Sequence, residues 1–163
     1  SYQIYRSTAK DGDYQNIKTI NSVGTSSWTD GSVKTGKTYY YKIKTVVKTQ
    51  NGEQTSGFSN VKSAKAVPAK TTLKAKASDA KNVKLTWSKV KGASGYEIYR
   101  SNSKDGKCSK VKTISKGSTT SYKNGKLKKS TTYYYKIRAY RKVNGKKVYG
   151  SYSSVVSVKT KAK

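Results

Sequence analysis

The carboxylates are the first side chains to consider for chemistry, because acid–base catalysis and hard-cation binding both depend on them. The 163-residue sequence has only seven carboxylates, and it has no His. They are Asp11, Asp13, Asp30, Glu53, Asp79, Glu97 and Asp105. Asp11 and Asp13 form the only close pair, and their loop offers fewer oxygen ligands than a calcium ion requires. The carboxylates therefore predict no catalytic residue and no metal site.

Cys108 and Glu97 are two side chains whose surroundings in the sequence bear on possible chemistry. Cys108 is the only thiol, and no His or second Cys accompanies it as a catalytic or redox partner. Glu97 lies between Tyr96 and Ile98 in an alternating pattern, so it is predicted to point outward among lysines as an exposed ion-pair partner. No glycine-rich phosphate loop is present. We therefore expect neither an enzyme active site nor a cofactor.

The charge balance is the strongest compositional signal. Lys and Arg number 36 against seven Asp and Glu, which gives a net charge of +29. Only four of the 36 are Arg. Most of the positive charge is therefore carried by flexible lysine ammonium groups rather than by guanidinium groups, which bind an anion through two parallel hydrogen bonds. Such a field attracts polyanions, including anionic cell-wall polymers, sulfated glycans, DNA and lipid headgroups, weakly and with a steep salt dependence. The alternative is a solvated surface that has no ligand.

Tyrosines and cations alternate in strand-like segments and predict a candidate ligand face in each half of the chain. Every second residue of a β-strand points to the same side. The residues predicted to share a solvent-facing surface are Tyr99, Tyr134, Lys136 and Arg138 in the second half, and Tyr5, Tyr40, Lys42 and Lys44 in the first. Rings interleaved with cations can stack on sugars while the cations hold anionic groups. The alternative is cross-strand pairing that only stabilises the sheet.

A long internal repeat organises the sequence. The run Tyr2–Ser7 returns as Tyr96–Ser101, and the run Thr38–Ile43 returns as Thr132–Ile137, in both cases 94 residues later. A period of this length indicates repeated domains, because solenoid repeats are much shorter. The sequence therefore contains two related domains.

The boundary between these domains is predicted at Pro68, the only proline. Pro68 lies after the last predicted strand of the first repeat and before the first predicted strand of the second repeat. Its missing N–H does not disturb the hydrogen bonds between strands there. The predicted domains are residues 1–67 and 68–163. No segment approaches the roughly 20 consecutive apolar residues of a transmembrane helix, so we expect no membrane span.

Within each domain, short segments rich in β-branched and aromatic residues alternate with Gly, Asn, Asp and Ser clusters, which predicts an antiparallel β-sandwich. The strands predicted in the second domain are Thr72–Ala77, Val83–Ser88, Tyr96–Arg100, Ser109–Ile114, Thr119–Tyr122, Thr132–Val143 and Tyr149–Lys159. Alternation predicts a core made of Val83, Leu85, Trp87, Tyr96, Ile98, Tyr133, Tyr135, Ile137 and Ala139. Asn144-Gly145 predicts a type I′ hairpin turn, with Asn51-Gly52 as its equivalent in the first domain.

These features resemble the fibronectin type III family, in the Lys/Tyr-rich form that occurs in tandem in surface and secreted proteins of Gram-positive bacteria. The resemblance rests on Trp87, the run Gly95–Ser101, Leu127, and Tyr133 six residues after it. Tyr133 and its counterpart Tyr39 look like the tyrosine corner of the family, in which the hydroxyl bonds back to the main chain. The resemblance implies two tandem immunoglobulin-like sandwiches, an extracellular or cell-surface location, and no catalytic residues.

The first domain departs from this pattern. Ser1-Tyr2 aligns with the third strand of the second domain, so the first two strands and the counterpart of Trp87 are absent. Half of its core and one sheet edge are therefore expected to be open. We expect the sequence to be part of a longer chain. The alternative is that another protein chain supplies the missing strands, as in donor-strand complementation.

Together these observations predict a non-enzymatic segment of a bacterial cell-surface or secreted protein. It would serve as a structural spacer and adhesion unit that binds an anionic cell-wall polymer or glycan weakly. Two alternatives stay open: an accessory module of a larger secreted cell-wall or glycan hydrolase, and a non-specific nucleic-acid binder. The dominance of Lys and the lack of a DNA- or RNA-reading motif count against the second of these.

Overall fold

A computed structural model describes all 163 residues and contains thirteen β-strands and no helix. It forms two compact units, Ser1–Ala66 and Val67–Lys163, with a boundary one residue before the predicted one. The strands of the first unit are β1 (Tyr2–Ser7), β2 (Gln15–Ile20), β3 (Thr38–Thr49), β4 (Gly52–Thr55) and β5 (Lys62–Lys65). Those of the second are β6 (Leu73–Ala77), β7 (Val83–Trp87), β8 (Gly95–Ser101), β9 (Ser109–Ile114), β10 (Ser121–Asn124), β11 (Thr132–Val143), β12 (Lys146–Tyr149) and β13 (Val156–Lys159).

The second unit is a sandwich of two antiparallel sheets. One sheet has the strand order β10-β7-β6, and the other has the order β12-β11-β8-β9, with β13 also paired to β11. Alternating apolar side chains from both sheets meet in one core. Its buried members are Leu73, Val83, Leu85, Trp87, Val90, Tyr96, Ile98, Leu127, Tyr133, Tyr135, Ile137 and Ala139. The predicted all-β sandwich is confirmed, and every residue of the predicted core is buried.

The single strand predicted over Tyr149–Lys159 is wrong, because the chain forms two strands, β12 and β13, along the same edge of β11. Tyr140 lies opposite Tyr149, but Tyr135 lies opposite Val156, so the edge segment holds two extra residues. Ser153 compensates for the interruption: its Oγ accepts a hydrogen bond from the Ile137 N–H at 3.1 Å, and its own N–H donates to the Ile137 carbonyl at 2.7 Å. The buried backbone of β11 therefore remains hydrogen-bonded across the kink.

The two hairpin turns differ in position. Asn144 and Gly145 both have positive φ angles, 49° and 76°, as a type I′ turn requires. In the first unit Thr49 pairs with Gly52, so the turn residues are Gln50 and Asn51 rather than the predicted Asn51-Gly52. Gly52 itself has a positive φ of 111°. This backbone conformation costs little free energy because glycine has no Cβ.

The first unit consists of a single five-stranded sheet. Its order, β2-β1-β3-β4 with β5 paired to β3, reproduces the larger sheet of the second unit strand by strand. Counterparts of β6 and β7 are absent, as the sequence predicts, and residues 27–30, equivalent to β10, form no strand. In the second unit β10 pairs only with β7, so this segment of the first unit has no ladder partner.

The apolar face of the first sheet is consequently open. Ile43 is 42% exposed, whereas its counterpart Ile137 in the second unit is fully buried. The face forms a concave depression of about 680 Å³ lined mainly by apolar side chains. The difference between the units arises from the absent sheet, because the sheets that carry the two isoleucines have the same strand order.

Candidate functional site

The candidate ligand face of the second unit is the outer face of its larger sheet, the side opposite the core. Pairing of β8 with β11 places Lys136 opposite Tyr99 and Arg138 opposite Glu97. Tyr134 lies on the same side, opposite Ser101, but does not join the aromatic and cation–π contacts of the other residues. The strand register therefore brings Tyr99, Lys136 and Arg138 together around Glu97.

The prediction that Glu97 is an exposed ion-pair partner is wrong, because its side chain is buried. Five side chains approach its carboxylate: Tyr99, Lys110, Arg138, Lys147 and Tyr149. Arg138 Nη2 and the Tyr99 hydroxyl donate to Oε2 at 2.9 and 2.8 Å. Lys147 Nζ and the Tyr149 hydroxyl donate to Oε1 at 3.0 and 3.1 Å. Glu97 still leaves the sheet on its outer side, but long side chains from β8, β9, β11 and β12 cover it.

This environment keeps Glu97 ionised. Burial raises the pKa of Glu97, but the hydrogen bonds from Arg138, Lys147, Tyr99 and Tyr149 outweigh it and bring the pKa to about 2. Burial, together with the hydrogen bond to Glu97, raises the pKa of Tyr99 above its ordinary value. Tyr99 therefore stays protonated and donates to the carboxylate near neutral pH.

Two rings of this outer face pack edge to face, and cations of the protein itself lie over ring faces. Tyr99 and Tyr152 pack at 90° with ring centres 5.2 Å apart. The guanidinium carbon of Arg138 lies 3.7 Å from the centre of the Tyr149 ring, and Lys136 Nζ lies 4.4 Å from that of Tyr152. An open stacking surface for a sugar would need free ring faces, so these contacts favour the cross-strand alternative over ligand stacking.

The outer face of the first unit repeats the aromatic arrangement but lacks the carboxylate. Tyr5 and Phe58 pack edge to face with ring centres 5.0 Å apart, and Lys42 Nζ lies 3.9 Å from the centre of the Phe58 ring. Gln3 occupies the position of Glu97 and accepts a hydrogen bond from the Tyr5 hydroxyl at 2.9 Å. Lys44, at the position of Arg138, lies 5.4 Å from the Tyr5 ring centre and has no carboxylate partner. Two cations on this face are therefore uncompensated.

The fourth residue predicted for the first-unit face, Tyr40, lies opposite Ser7 on β1 and Ser63 on β5. It occupies the same place in its sheet as Tyr134 does in the second unit. Like Tyr134, it stands apart from the aromatic and cation–π contacts of its neighbours.

The residues predicted to be structural lie at equivalent places in the two units. The Tyr133 hydroxyl accepts a hydrogen bond from the Lys128 N–H at 2.9 Å, and that of Tyr39 accepts one from the Lys34 N–H at 3.0 Å. Both bonds join the hydroxyl to main chain five residues upstream. Leu127 and Trp87 are 5% and 6% exposed and belong to the core of the second unit.

A further repeated cluster was not predicted from the sequence. Arg100 Nη1 and the Tyr135 hydroxyl both donate to Asn124 Oδ1, at 3.1 and 2.8 Å. The equivalent cluster in the first unit consists of Arg6, Asp30 and Tyr41, with Arg6 Nη1 and the Tyr41 hydroxyl 2.7 and 3.0 Å from Asp30 Oδ2. The 94-residue offset relates all three pairs of positions and is the signal that could have revealed them.

Asp30 is charged in this cluster. Burial raises the pKa of Asp30, but hydrogen bonds from Ser32, Arg6 and Tyr41 lower it to about 2. Burial and the bond to Asp30 raise the pKa of Tyr41 to about 12. The cluster fixes the segment around Asp30 against β1 and β3.

Cys108 is half-buried and forms no disulfide, and its Sγ lies 3.9 Å from the Gly106 carbonyl. No group of three or more His, Cys, Asp and Glu side chains lies together. The structure also contains no helix of the length and apolarity needed to cross a membrane. The two outer faces and the open apolar face are thus the surfaces with features that a ligand or partner could use.

Comparison with solved structures decides the fold. The crystal structure of chicken CNTN1 FN1-FN3 domains matches 98% of this chain with a TM-score of 0.51 and 20% identity. The chain has the fibronectin type III fold. It spans 56% of the length of that structure. The sixth fibronectin type III domain of human fibronectin type III domain containing protein 3 is a second similar structure. The match covers 61% of this chain and 92% of that domain, with a TM-score of 0.51 and 18% identity. No protein-family model and no curated protein matches the sequence.

Proposed function

We propose that this fibronectin type III chain is a non-enzymatic spacer segment of a secreted or cell-surface bacterial protein that binds anionic wall polymers or glycans weakly through its lysines. The observation that carries the proposal is the uncompensated charge. Only five of the 36 basic side chains lie within 4 Å of a carboxylate, and three of these five share Glu97. The other 31 basic side chains form no ion pair within that distance.

The proposed binding is diffuse rather than confined to one pocket. Lysines occupy exposed strand positions in both units, as at Lys74 and Lys76 of β6. Lysine ammonium groups are flexible and strongly hydrated, so they attract a polyanion without fixing its geometry. We therefore expect fast association and an affinity that falls steeply with ionic strength.

A salt titration tests the proposal. Binding of the full chain to a polyglycerol phosphate polymer, heparin, duplex DNA and a neutral glycan is measured between about 0.05 and 0.3 M salt, a range over which surface charges become increasingly screened. The proposal expects binding to the anionic wall polymer or sulfated glycan with a steep salt slope, and no binding to the neutral glycan. Absence of polyanion binding at about 0.15 M salt contradicts it. A strong preference for DNA at that salt favours the nucleic-acid alternative.

Matched charge variants test whether the binding is diffuse. The double variant K42Q/K44Q removes two cations from the outer face of the first unit, and K74Q/K76Q removes two exposed cations from β6. Both change the net charge equally, so diffuse binding predicts the same loss of affinity and the same decrease in salt slope. A much larger loss in K42Q/K44Q would instead locate a discrete site on the outer face of the first unit.

A further inference from the structure

The smaller sheet of the second unit has an outer face that the predicted ligand faces do not include. Its inner side carries the apolar residues of β6 and β7 and packs in the core, so the alternate residues of these strands point outward. Four exposed cations stand on this outer side: Lys74 and Lys76 on β6, Lys84 on β7 and Lys123 on β10. We call these four residues the lysine face.

The register of the sheet aligns three of these lysines across neighbouring strands. Lys76 lies opposite Lys84, and Lys84 lies opposite Lys123. Neighbouring strands are about 4.8 Å apart, so the three side chains leave the sheet side by side. Like charges directly opposite each other destabilise a sheet. The chain therefore accepts a cost in stability at this place, and a departure of this kind from the rules of stable folding is typical of a functional surface.

No carboxylate of the protein compensates the lysine face. None of its four ammonium groups lies within 4 Å of an acidic side chain. Asp79, in the loop between β6 and β7, accepts hydrogen bonds from the Lys81 N–H and the Asn82 side-chain amide, both at 2.8 Å. On the larger sheet, by contrast, three cations share Glu97. The second unit therefore has one outer face whose charge is partly balanced from within and one whose charge is not.

The lysine face can meet a planar surface with all its charges at once. In the next row of the sheet Lys74 lies opposite Thr86, which lies opposite Ser121, so the side chains beside it are short hydroxyls. A sheet of three strands twists by about 40–50° between its edges, and long lysine stems extend far enough to compensate for this. The large exposed apolar side chains of the protein lie elsewhere. Contact with a planar partner would therefore be electrostatic and would involve no insertion of side chains.

We propose that the lysine face docks on the surface of a bilayer that contains anionic lipid headgroups. Clusters of four or more basic residues bind such bilayers, and each lysine close to the surface raises the affinity about fivefold. A planar array of charges selects a face whose cations leave one sheet side by side. A flexible wall polymer, in contrast, can bend to reach lysines on any side of the chain. The two kinds of polyanion therefore use different sets of lysines.

Sedimentation of the full chain with vesicles tests the proposal. The vesicles contain equal parts of phosphatidylglycerol and phosphatidylcholine, and vesicles of phosphatidylcholine alone are the neutral comparison. The parent should bind the anionic vesicles at about 0.1 M salt and should not bind the neutral ones. The ladder variant, K76Q/K84Q/K123Q, removes the three aligned lysines. It should bind the anionic vesicles about 100-fold more weakly than the parent, because three factors of about five multiply.

A control variant, K104Q/K142Q/K146Q, removes the same charge from exposed positions of the second unit that lie outside the smaller sheet. It should weaken binding to the anionic vesicles by less than about fivefold, because these lysines do not approach the bilayer. Urea unfolding confirms that both variants are folded. The ladder variant should unfold at the same urea concentration as the parent or at a higher one, since it removes the repulsion between opposed lysines.

Three outcomes overturn the proposal. The first is the absence of binding of the parent to the anionic vesicles. The second is an equal loss of vesicle binding in the ladder and control variants, because net charge alone would then determine it. The third is an equally large and selective loss of polyglycerol phosphate binding in the ladder variant, which would make this face a site for a linear polyanion.

The vesicle and polymer measurements fail independently. Diffuse polymer binding expects the ladder and control variants to lose the same affinity for polyglycerol phosphate, since both lose three charges. A chain that binds the polymer but not the vesicles contradicts the docking alone. A chain that binds the vesicles through the lysine face but does not bind the polymer contradicts the diffuse binding alone.

Discussion

Arg138 and Glu97 lie opposite each other on β11 and β8, with Arg138 Nη2 2.9 Å from Glu97 Oε2. The Tyr149 ring covers the pair, its centre 3.7 Å from the guanidinium carbon. Glu97 is the only carboxylate among the buried residues of this chain. A buried charge is tolerated when it is paired and fully hydrogen-bonded, so this pair makes the outer face of the second unit a structural element as well as a charged surface.

Replacing Glu97 by Gln should therefore destabilise the second unit strongly. The amide cannot balance Arg138 and Lys147, and breaking a buried ion pair costs about 3–5 kcal/mol. Asp105→Asn is the matched control, since Asp105 is an exposed carboxylate of the same unit, and it should change stability by less than about 0.5 kcal/mol. Urea unfolding followed by Trp87 fluorescence in a Trp28→Phe background measures both. Equal stability of the two variants would show that Glu97 is not a structural centre.

Acid should destabilise the chain between pH 5 and pH 2. The pKa values of Glu97 and Asp30 are both about 2 in the folded chain, well below the ordinary values of 4.5 and 3.8. As pH falls, the unfolded state takes up these protons first, so stability that is constant above about pH 5 is lost towards pH 2. Unfolding midpoints of the second unit measured across this range should fall steeply in the parent and in Asp105→Asn, and less steeply in Glu97→Gln. An equal acid slope in Glu97→Gln would mean that other groups determine it.

The alternating strands of the second unit could be predicted because their signal is local. Tyr96 and Ile98 on β8, and Val83 and Leu85 on β7, follow the two-residue period that places one side of a strand in a core. The 94-residue repeat extended the same assignment to the first unit. The fold class and the core residues of the second unit could therefore be predicted from the pattern of neighbouring residues.

The features that the sequence did not reveal depend on distant partners. Burial of Glu97 requires side chains from β9, β11 and β12, which strand alternation within β8 does not encode. The division of the last predicted strand depends on Ser153 Oγ, which accepts a hydrogen bond from the Ile137 N–H of the neighbouring strand β11. Tyr140 has the outward parity of Arg138 but is 1% exposed, because it packs over Gly95 on β8.

Removing the Tyr133 hydroxyl tests the tyrosine corner. Tyr133→Phe leaves the Lys128 N–H without its 2.9 Å acceptor, and because this bond is only partly buried, its loss should cost about 1 kcal/mol. Tyr134→Phe, one residue along β11, removes a half-exposed hydroxyl and should cost less than about 0.5 kcal/mol. Thermal unfolding compares the pair. If Tyr133→Phe melts at the parent temperature, the hydroxyl bond does not stabilise the fold.

The repeat itself provides the matched control for the core. Ile137→Ala removes a fully buried side chain packed between two sheets and should cost about 2–5 kcal/mol in the second unit. Ile43→Ala makes the same change at the equivalent position of the first unit, where the side chain is 42% exposed and less contact is lost, so the cost should be below about 1 kcal/mol.

Hydrogen exchange, followed separately for the amides of each unit, measures the free energy of unfolding of that unit in Ile137→Ala and in Ile43→Ala. Equal costs would contradict an open face, because a large effect of Ile43→Ala requires that side chain to be covered in solution.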